Sequence, residues 1–258
     1  MEDPYAAVAE RYDLFFERLD AYPKAEVAFF RDVLGADAPR RVLDCACGTG
    51  RYLPLLHSLG HDVVGMDISP AMLDRARRNL DALGLDIPLH QGDMAALPAE
   101  WRGAFDAVTC LSSSLLHVPN EAALARVLRS MAGVLRPGGL LVLTQGTSDR
   151  QAREKPRFLL ARDDAVVTRL FAIDYRPPGA TYHVLDVYHG PERKGLEVWS
   201  TEYARLWLRD DYARLFEKTG YTDVAFYGAY DRAPYDAMTS HRLIGVAHRP
   251  GPRAAMGL

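Results

Sequence analysis

Val42-Leu43-Asp44-Cys45-Ala46-Cys47-Gly48-Thr49-Gly50 reads as an apolar strand that breaks into a glycine-rich turn ahead of a helix near Leu53. Asp44 rides to the carboxyl end of that strand, and Gly48 and Gly50 carry no β-carbon to hold a ligand off the backbone. This is the pattern of a loop that cradles a nucleotide cofactor, and the spacing decides which one. Dinucleotide loops spell G-x-G-x-x-G, the third glycine letting helix and strand pack closely beneath a pyrophosphate. Here Ala46, Gly48 and Gly50 alternate and Leu53 occupies the place of the third glycine, so no pyrophosphate is expected.

Two further signals follow. His61-Asp62-Val63-Val64-Gly65-Met66-Asp67 reads as a second buried strand ending in a carboxylate, with Ile68-Ser69-Pro70 opening a helix behind it. Asp67 is placed to accept both hydroxyls of a ribose, and its distance from the glycine loop fits one strand-helix-strand unit. A third strand end presents Gln91-Gly92-Asp93-Met94. Each signal has a plainer reading, since an Asp after a strand is often a helix cap and Gly-Asp often a turn. Asp44, Asp67 and Asp93 in this order put three carboxylates along one sheet edge, which the plainer readings leave unexplained.

The D-x-A-C-G-T-G spelling of Asp44–Gly50 resembles motif I of the class I S-adenosylmethionine (SAM) dependent methyltransferases, especially the glycine N-methyltransferase type, with Ala46 in place of the commoner first glycine. The resemblance implies a doubly wound, seven-stranded, mostly parallel α/β sheet and SAM as cofactor. It places Asp44, Ala46, Gly48, Gly50, Asp67, Ile68 and Leu111 around SAM, with Asp93 near the adenine amino group and Met94 beside the ring. The segment from Tyr5 to Phe16 is similar to the lid of small-molecule N-methyltransferases acting on glycine and amino sugars. It implies Tyr5 beside the cofactor, Tyr12 near the sulfonium, and Lys24 as the partner of the methionyl carboxylate of SAM; a solvated lysine is the plainer alternative.

Composition narrows the partners. With 258 residues, 48% hydrophobic and 25% charged, the chain has the make-up of an ordinary globular protein with one large α/β domain and an insertion. A formal net charge of -3 argues against a nucleic acid as main partner. Cys45, Cys47 and Cys110 fall on strand ends and in the loop, where disulfides would distort the turn, so a reducing, cytoplasmic setting is expected and no metal site is. No apolar run of the roughly 18 residues a membrane span needs is present.

Four regions emerge: an N-terminal helical lid (1–34), a SAM-binding α/β core (35–146), an antiparallel β insertion serving as substrate cap or dimer surface (147–208), and a C-terminal part of the core (209–258). Within the core, strands centre on Val42, Val63, Leu89, Val108 and Val142, and Leu135-Arg136-Pro137-Gly138-Gly139 reads as a turn before the fifth. The insertion reads as three strands, Ala165–Tyr175, Thr181–His189 and Leu196–Leu208. The fourth core strand ends at Cys110-Leu111-Ser112-Ser113-Ser114, where Ser113 either orients an acceptor or caps a helix.

Methyl transfer is an in-line substitution, so alignment of donor and acceptor matters more than a strong base. An amine acceptor need only bind deprotonated, whereas a hydroxyl benefits from a neutral histidine. His117 is the first candidate base, His183 and His189 the next, with a structural or surface histidine as the alternative for each. Tyr230, Arg232 and Tyr235, in a tyrosine-rich run, are candidates for an acceptor pocket or for core packing. A small-molecule amine is the expected acceptor, and a hydroxyl the runner-up. A SAM-binding subunit without catalysis and a nicotinamide oxidoreductase are the rivals; a homodimer is allowed.

Overall fold

The computed structural model describes residues 5–16, 18–35, 38–191 and 193–251. Parts of the expected lid (1–4 and 17) and of the expected C-terminal tail (252–258) therefore lie outside the described residues.

Short apolar runs rich in Val and Leu form the sheet. Strands β1 (Arg41–Cys45), β2 (Asp62–Asp67), β3 (Leu89–Gln91), β4 (Phe105–Cys110) and β5 (Leu135–Gln145) are parallel. After a long excursion the chain returns as β10 (Thr222–Tyr227) and β11 (Leu243–His248), antiparallel to one another, with β11 antiparallel to β5. The order β10-β11-β5-β4-β1-β2-β3 reverses direction between β1 and β4. That switch point opens a crevice at the carboxyl ends of the strands, the place where open α/β sheets bind ligands.

Helices cover both faces. On one side α2 (Lys24–Leu34), α3 (Leu53–Ser58) and α4 (Pro70–Ala82) bury Phe29, Phe30, Leu53, Leu56, Leu73 and Leu80; on the other, α5 (Glu121–Val134) and α7 (Arg209–Lys218) bury Leu124, Leu128, Met131, Tyr212, Leu215 and Phe216. Each such side chain contributes about 1.5–3 kcal/mol relative to exposure. Side chains set the starts of α4 and α5: Ser69 Oγ accepts the Met72 amide at 3.1 Å, and Asn120 Oδ1 accepts the Ala123 amide at 2.9 Å.

Three expectations need correction. The N-terminal segment is helical only in part: α1 (Ala9–Tyr12) passes through a 3₁₀ turn (Asp13–Phe15) into extended chain, and helix resumes after Pro23. Arg51 takes the carbonyls of Arg18, Leu19 and Ala21, so this stretch finds its partner outside itself. The Leu135–Gly139 turn is instead the start of β5, whose pairing with β4 shifts register there. The insertion holds α6 (Asp149–Glu154) and four strands rather than three: β6 (Phe158–Asp163), β7 (Val167–Arg176), β8 (Gly179–Tyr188) and β9 (Gly195–Tyr203), antiparallel in that order. Sequence reading missed β6 because Leu-Leu-Ala carries no β signature.

A fully buried ion pair fixes the insertion to the N-terminal strap. Arg169 on β7 grips Asp186 on β8 through Nε (2.5 Å) and Nη2 (2.8 Å); Nη2 also donates to the Arg11 carbonyl, and the guanidinium stacks 4.2 Å from the Phe15 ring. Removing one partner strands a buried charge, so Asp186→Ala is expected to cost about 3–5 kcal/mol in denaturant unfolding. The double change Arg169→Met with Asp186→Leu should lose much less, because both charges leave together.

Candidate active site

The glycine loop runs from β1 into α3. Ala46 holds φ 64°, a left-handed conformation in which its β-carbon is strained, and Gly50 takes φ 83°, where a β-carbon would come within 3.3 Å of Ala76. The loop turns back on the end of β2: the Gly48 amide donates to Asp67 Oδ2 at 2.8 Å, while the Ser69 amide donates to Oδ1 at 2.9 Å. Gly65, in β2, lies beneath. A β-carbon there would come within 2.7 Å of Leu89 and 2.9 Å of Leu53, so the close packing of strand and loop requires glycine.

Asp44 is buried at the end of β1, where Oδ1 accepts the Thr109 hydroxyl at 2.7 Å. Burial pushes its carboxyl up to about 7, the Asp67 charge adding to the rise and Thr109 opposing it. Leu111 is buried beside Asp44 in a small cavity over the loop, shared with Tyr12, Phe16, Ala46, Gly48 and Arg51. Ile68 leaves 57% of its surface bare at the mouth of the β2 end. Met94 is half-buried against the core, and Asp93 is exposed with Oδ1 accepting the Ala95 amide at 2.8 Å.

A second, larger cavity of about 420 Å³ adjoins it. Its floor is the end of β4, where Ser112 and Ser113 both take positive φ (57° and 74°). Ser113 caps no helix; its hydroxyl accepts the Gly146 amide at 3.1 Å. The walls are eight aromatic side chains: Tyr5, Tyr12, Phe15 and Phe16 from the strap, and Phe171, Tyr182, Trp199 and Tyr203 from the insertion. His117 stands between Tyr5 and Tyr203, with Nε2 at 2.6 Å from the Tyr5 hydroxyl. Burial pushes His117 below its ordinary value, so it is neutral near pH 7. Tyr12 faces both cavities, its phenol pushed up to about 12 by burial and then by the Asp67 charge. Arg242 is the one charged side chain among the described lining residues, and no carboxylate is among them.

Not every expected residue arrives here. His183 sits on the opposite face of β8, bonded to Ser200 (2.7 Å) and Asp174 (3.2 Å), and His189 is exposed beside Thr168. Tyr230 packs on Phe29 and Phe30 and meets Tyr52 behind the loop. Arg232 pairs with Asp32 on the surface, and Tyr235 binds Asp149 at the start of α6. Lys24 is exposed at the start of α2. Arg51, which sequence reading passed over, is instead the cation at the small cavity, stacked on Phe16 (4.6 Å) and Tyr22 (3.9 Å). Its place directly after Gly50 was the available signal.

Among the described residues no group of three or more His, Cys, Asp or Glu forms a metal site, and no helix is long and apolar enough to cross a membrane. A general methyltransferase domain model matches residues 42–139. A glycine/sarcosine N-methyltransferase of Parasynechococcus marenigrum is 31% identical over 234 residues, covering 86% of this chain and 77% of that one. The chain belongs to the class I SAM-dependent methyltransferases. A ubiquinone biosynthesis O-methyltransferase of Xanthomonas campestris is 32% identical over 178 residues, 69% of this methyltransferase and 66% of that chain. The structure of a sugar N-methyltransferase from a Streptoalloteichus species superposes with a TM-score of 0.67 at 26% identity, covering 93% and 92% of the two chains.

The raised Asp44 carboxyl has a direct consequence for this methyltransferase. Its folded value, about 7, lies above the ordinary 3.8, so the folded protein holds a proton that the unfolded chain has lost, and stability falls as pH rises between those values. Without cofactor, Asp44→Asn should therefore be more stable than wild type at pH 8, by up to a few kcal/mol, and the gap should close toward pH 4 in thermal melts.

Proposed function

We propose that the methyltransferase transfers a methyl group from SAM to an amine nitrogen of a small molecule held in the aromatic cavity. The observation that carries this reading is the absence of a carboxylate among the described residues lining that cavity. A carboxylate beside an amine would hold it protonated, whereas removal from water, the Arg242 cation and a neutral histidine favour the free base, whose lone pair attacks.

The cofactor-side residues fit the donor. SAM supplies a methyl group on a positively charged sulfur, and two carboxylates, Asp44 and Asp67, put negative charge at the loop that receives a cation. We assign Asp67 to the ribose, bare Ile68 and Met94 to the adenine ring, and Asp93 to its amino group. Leu111 and the backbone at Ala46, Gly48 and Gly50 shape the small cavity. Arg51, rather than the exposed Lys24, is assigned to the methionyl carboxylate. Tyr12, facing both cavities, is assigned to the reacting face.

When the nitrogen forms its bond to the methyl carbon, the carbon–sulfur pair returns to sulfur, and the acceptor is left with a proton to lose. The Tyr5–His117 pair, 2.6 Å apart at one end of the cavity, is placed to take it. A hydroxyl acceptor is the second reading, favoured by the same neutral His117 and by the Xanthomonas relative's name.

The test is turnover with SAM and a panel of small amines, amino sugars, phenols and carboxylic acids, read by mass spectrometry. Methylated amines are expected; products from hydroxyl acceptors alone would overturn the choice. His117→Gln separates the readings further. It should lower the rate by less than about tenfold for an amine already bound as free base, and by roughly 100-fold or more for a hydroxyl. Arg51→Met should raise the KM for SAM at least tenfold, whereas Lys24→Met should leave it unchanged.

A further inference from the structure

Seven arginines stack on aromatic rings among the described residues. Six of them, Arg41, Arg51, Arg169, Arg193, Arg205 and Arg209, also grip a carboxylate or a backbone carbonyl. Arg242 is the seventh. Its guanidinium lies 4.7 Å from the centre of the Tyr230 ring, and no hydrogen bond or ion pair joins it to another described residue. A ring against the flat side of a guanidinium leaves the N–H fork along its edge free to donate. Tyr230 is itself pinned, with its ring against Phe29 and Phe30 and its hydroxyl 3.3 Å from that of Tyr52. The fork is thus held before any ligand arrives, which lowers the ordering cost of binding. Arg242 directly precedes Leu243, which pairs with Gln145 at the end of β5, and it lines the aromatic cavity together with Gly146 and Thr147. It is exposed, so it stands where that cavity meets solvent.

We propose that Arg242 binds a carboxylate of the acceptor, a ring-bearing molecule that carries this group away from the methylated atom. The proposal rests on the reading of the aromatic cavity as the acceptor's place. One guanidinium cancels one negative charge, and its fork matches the two oxygens of a carboxylate. With no carboxylate among the described lining residues, nothing inside the cavity cancels Arg242 first. A phosphate monoester would bring nearly two charges to this single cation. The two cavities share Tyr12, Phe16, Ser112 and Ser114, and the methylated atom has to lie at that junction, whereas Arg242 lines the aromatic cavity alone. A volume of about 420 Å³ suits a drug-sized ligand and far exceeds what a two-carbon amino acid occupies. Aromatic walls stack well on a ring. The pairing also serves an amine acceptor: its own carboxylate, left bare, would hold the nitrogen protonated, and Arg242 covers that charge.

Calorimetry on the protein loaded with S-adenosylhomocysteine compares para-aminomethylbenzoate with para-methylbenzylamine, which differ only in carboxylate against methyl. The benzoate should bind about tenfold tighter or better. Arg242→Gln should abolish that advantage and Arg242→Lys should keep part of it, while Arg232→Gln, at the surface pair with Asp32, should keep all of it. Binding of SAM by each variant shows that it is folded. Equal wild-type affinities, an advantage that survives Arg242→Gln, or no binding of either compound would overturn the proposal. Glycine binding as tightly as the benzoate would overturn the ring, and tighter binding of para-aminomethylphenyl phosphate would overturn the carboxylate in favour of a phosphate. The hydroxyl analogue, para-hydroxymethylbenzoate, separates this from the choice of acceptor atom. Turnover of that compound alone would overturn the amine reading and leave the Arg242 result standing.

Discussion

Two carboxylates at the ends of adjacent parallel strands set the terms for the rest of this structure. Asp44 and Asp67 share one buried edge, and the charge of each disfavours charge on the other. Asp67 is kept at that edge by backbone amides from Gly48 and Ser69, and the glycine loop has to turn sharply to bring the first of them in. The strained Ala46 and the missing β-carbon of Gly65 are both consequences of that turn. Left without a cation, the edge costs free energy, which Asp44 reduces by holding its proton up to about pH 7. A site that resists its own charge in this way is preorganised for a positively charged ligand, and the sulfonium donor of this family is one.

The aromatic cavity proposed to hold the acceptor is assembled differently. Its walls come from the N-terminal strap, the end of β4 and the insertion, three segments far apart in sequence. The strap is tied to the insertion by Arg169, Arg162 and the Arg11–Glu197 pair, and to α4 by Arg75 and Asn79. The same Asn79 amide also donates to the Thr49 carbonyl in the glycine loop, so one side chain spans strap and loop. One hydrogen-bond donor thus joins strap and loop in the folded chain.

This division explains what could be read from the sequence. The places of Asp44, Gly48, Gly50 and Asp67 were legible because each lies at the end of a strand or in the turn that follows it before a helix, a pattern that local chemistry writes within about ten residues. His183 was not, because one residue of strand parity decides whether it faces the cavity or the outside. Tyr230 and Tyr235 carry a pocket-like composition, yet the partners that claim them, Tyr52 and Asp149, lie 178 and 86 residues away. Arg51 directly follows Gly50, yet it was passed over because the carbonyls that hold it lie about thirty residues earlier.

The same division bears on what the relatives can teach. The methyltransferase domain model ends at residue 139 and so includes the cofactor loop, Ser112 to Ser114 and His117, but none of the eight aromatic walls. The half that binds the donor is contiguous, rigid and shared with proteins named for nitrogen and for oxygen acceptors alike. The half proposed to meet the acceptor rests on Tyr5, Tyr12, Phe15, Phe171, Tyr182, Trp199 and Tyr203, residues on a strap and a sheet outside that model. Of these only Tyr12 also lines the small cavity over the glycine loop, so under the proposed function acceptor preference would rest on the insertion and strap rather than on the half shared across the family.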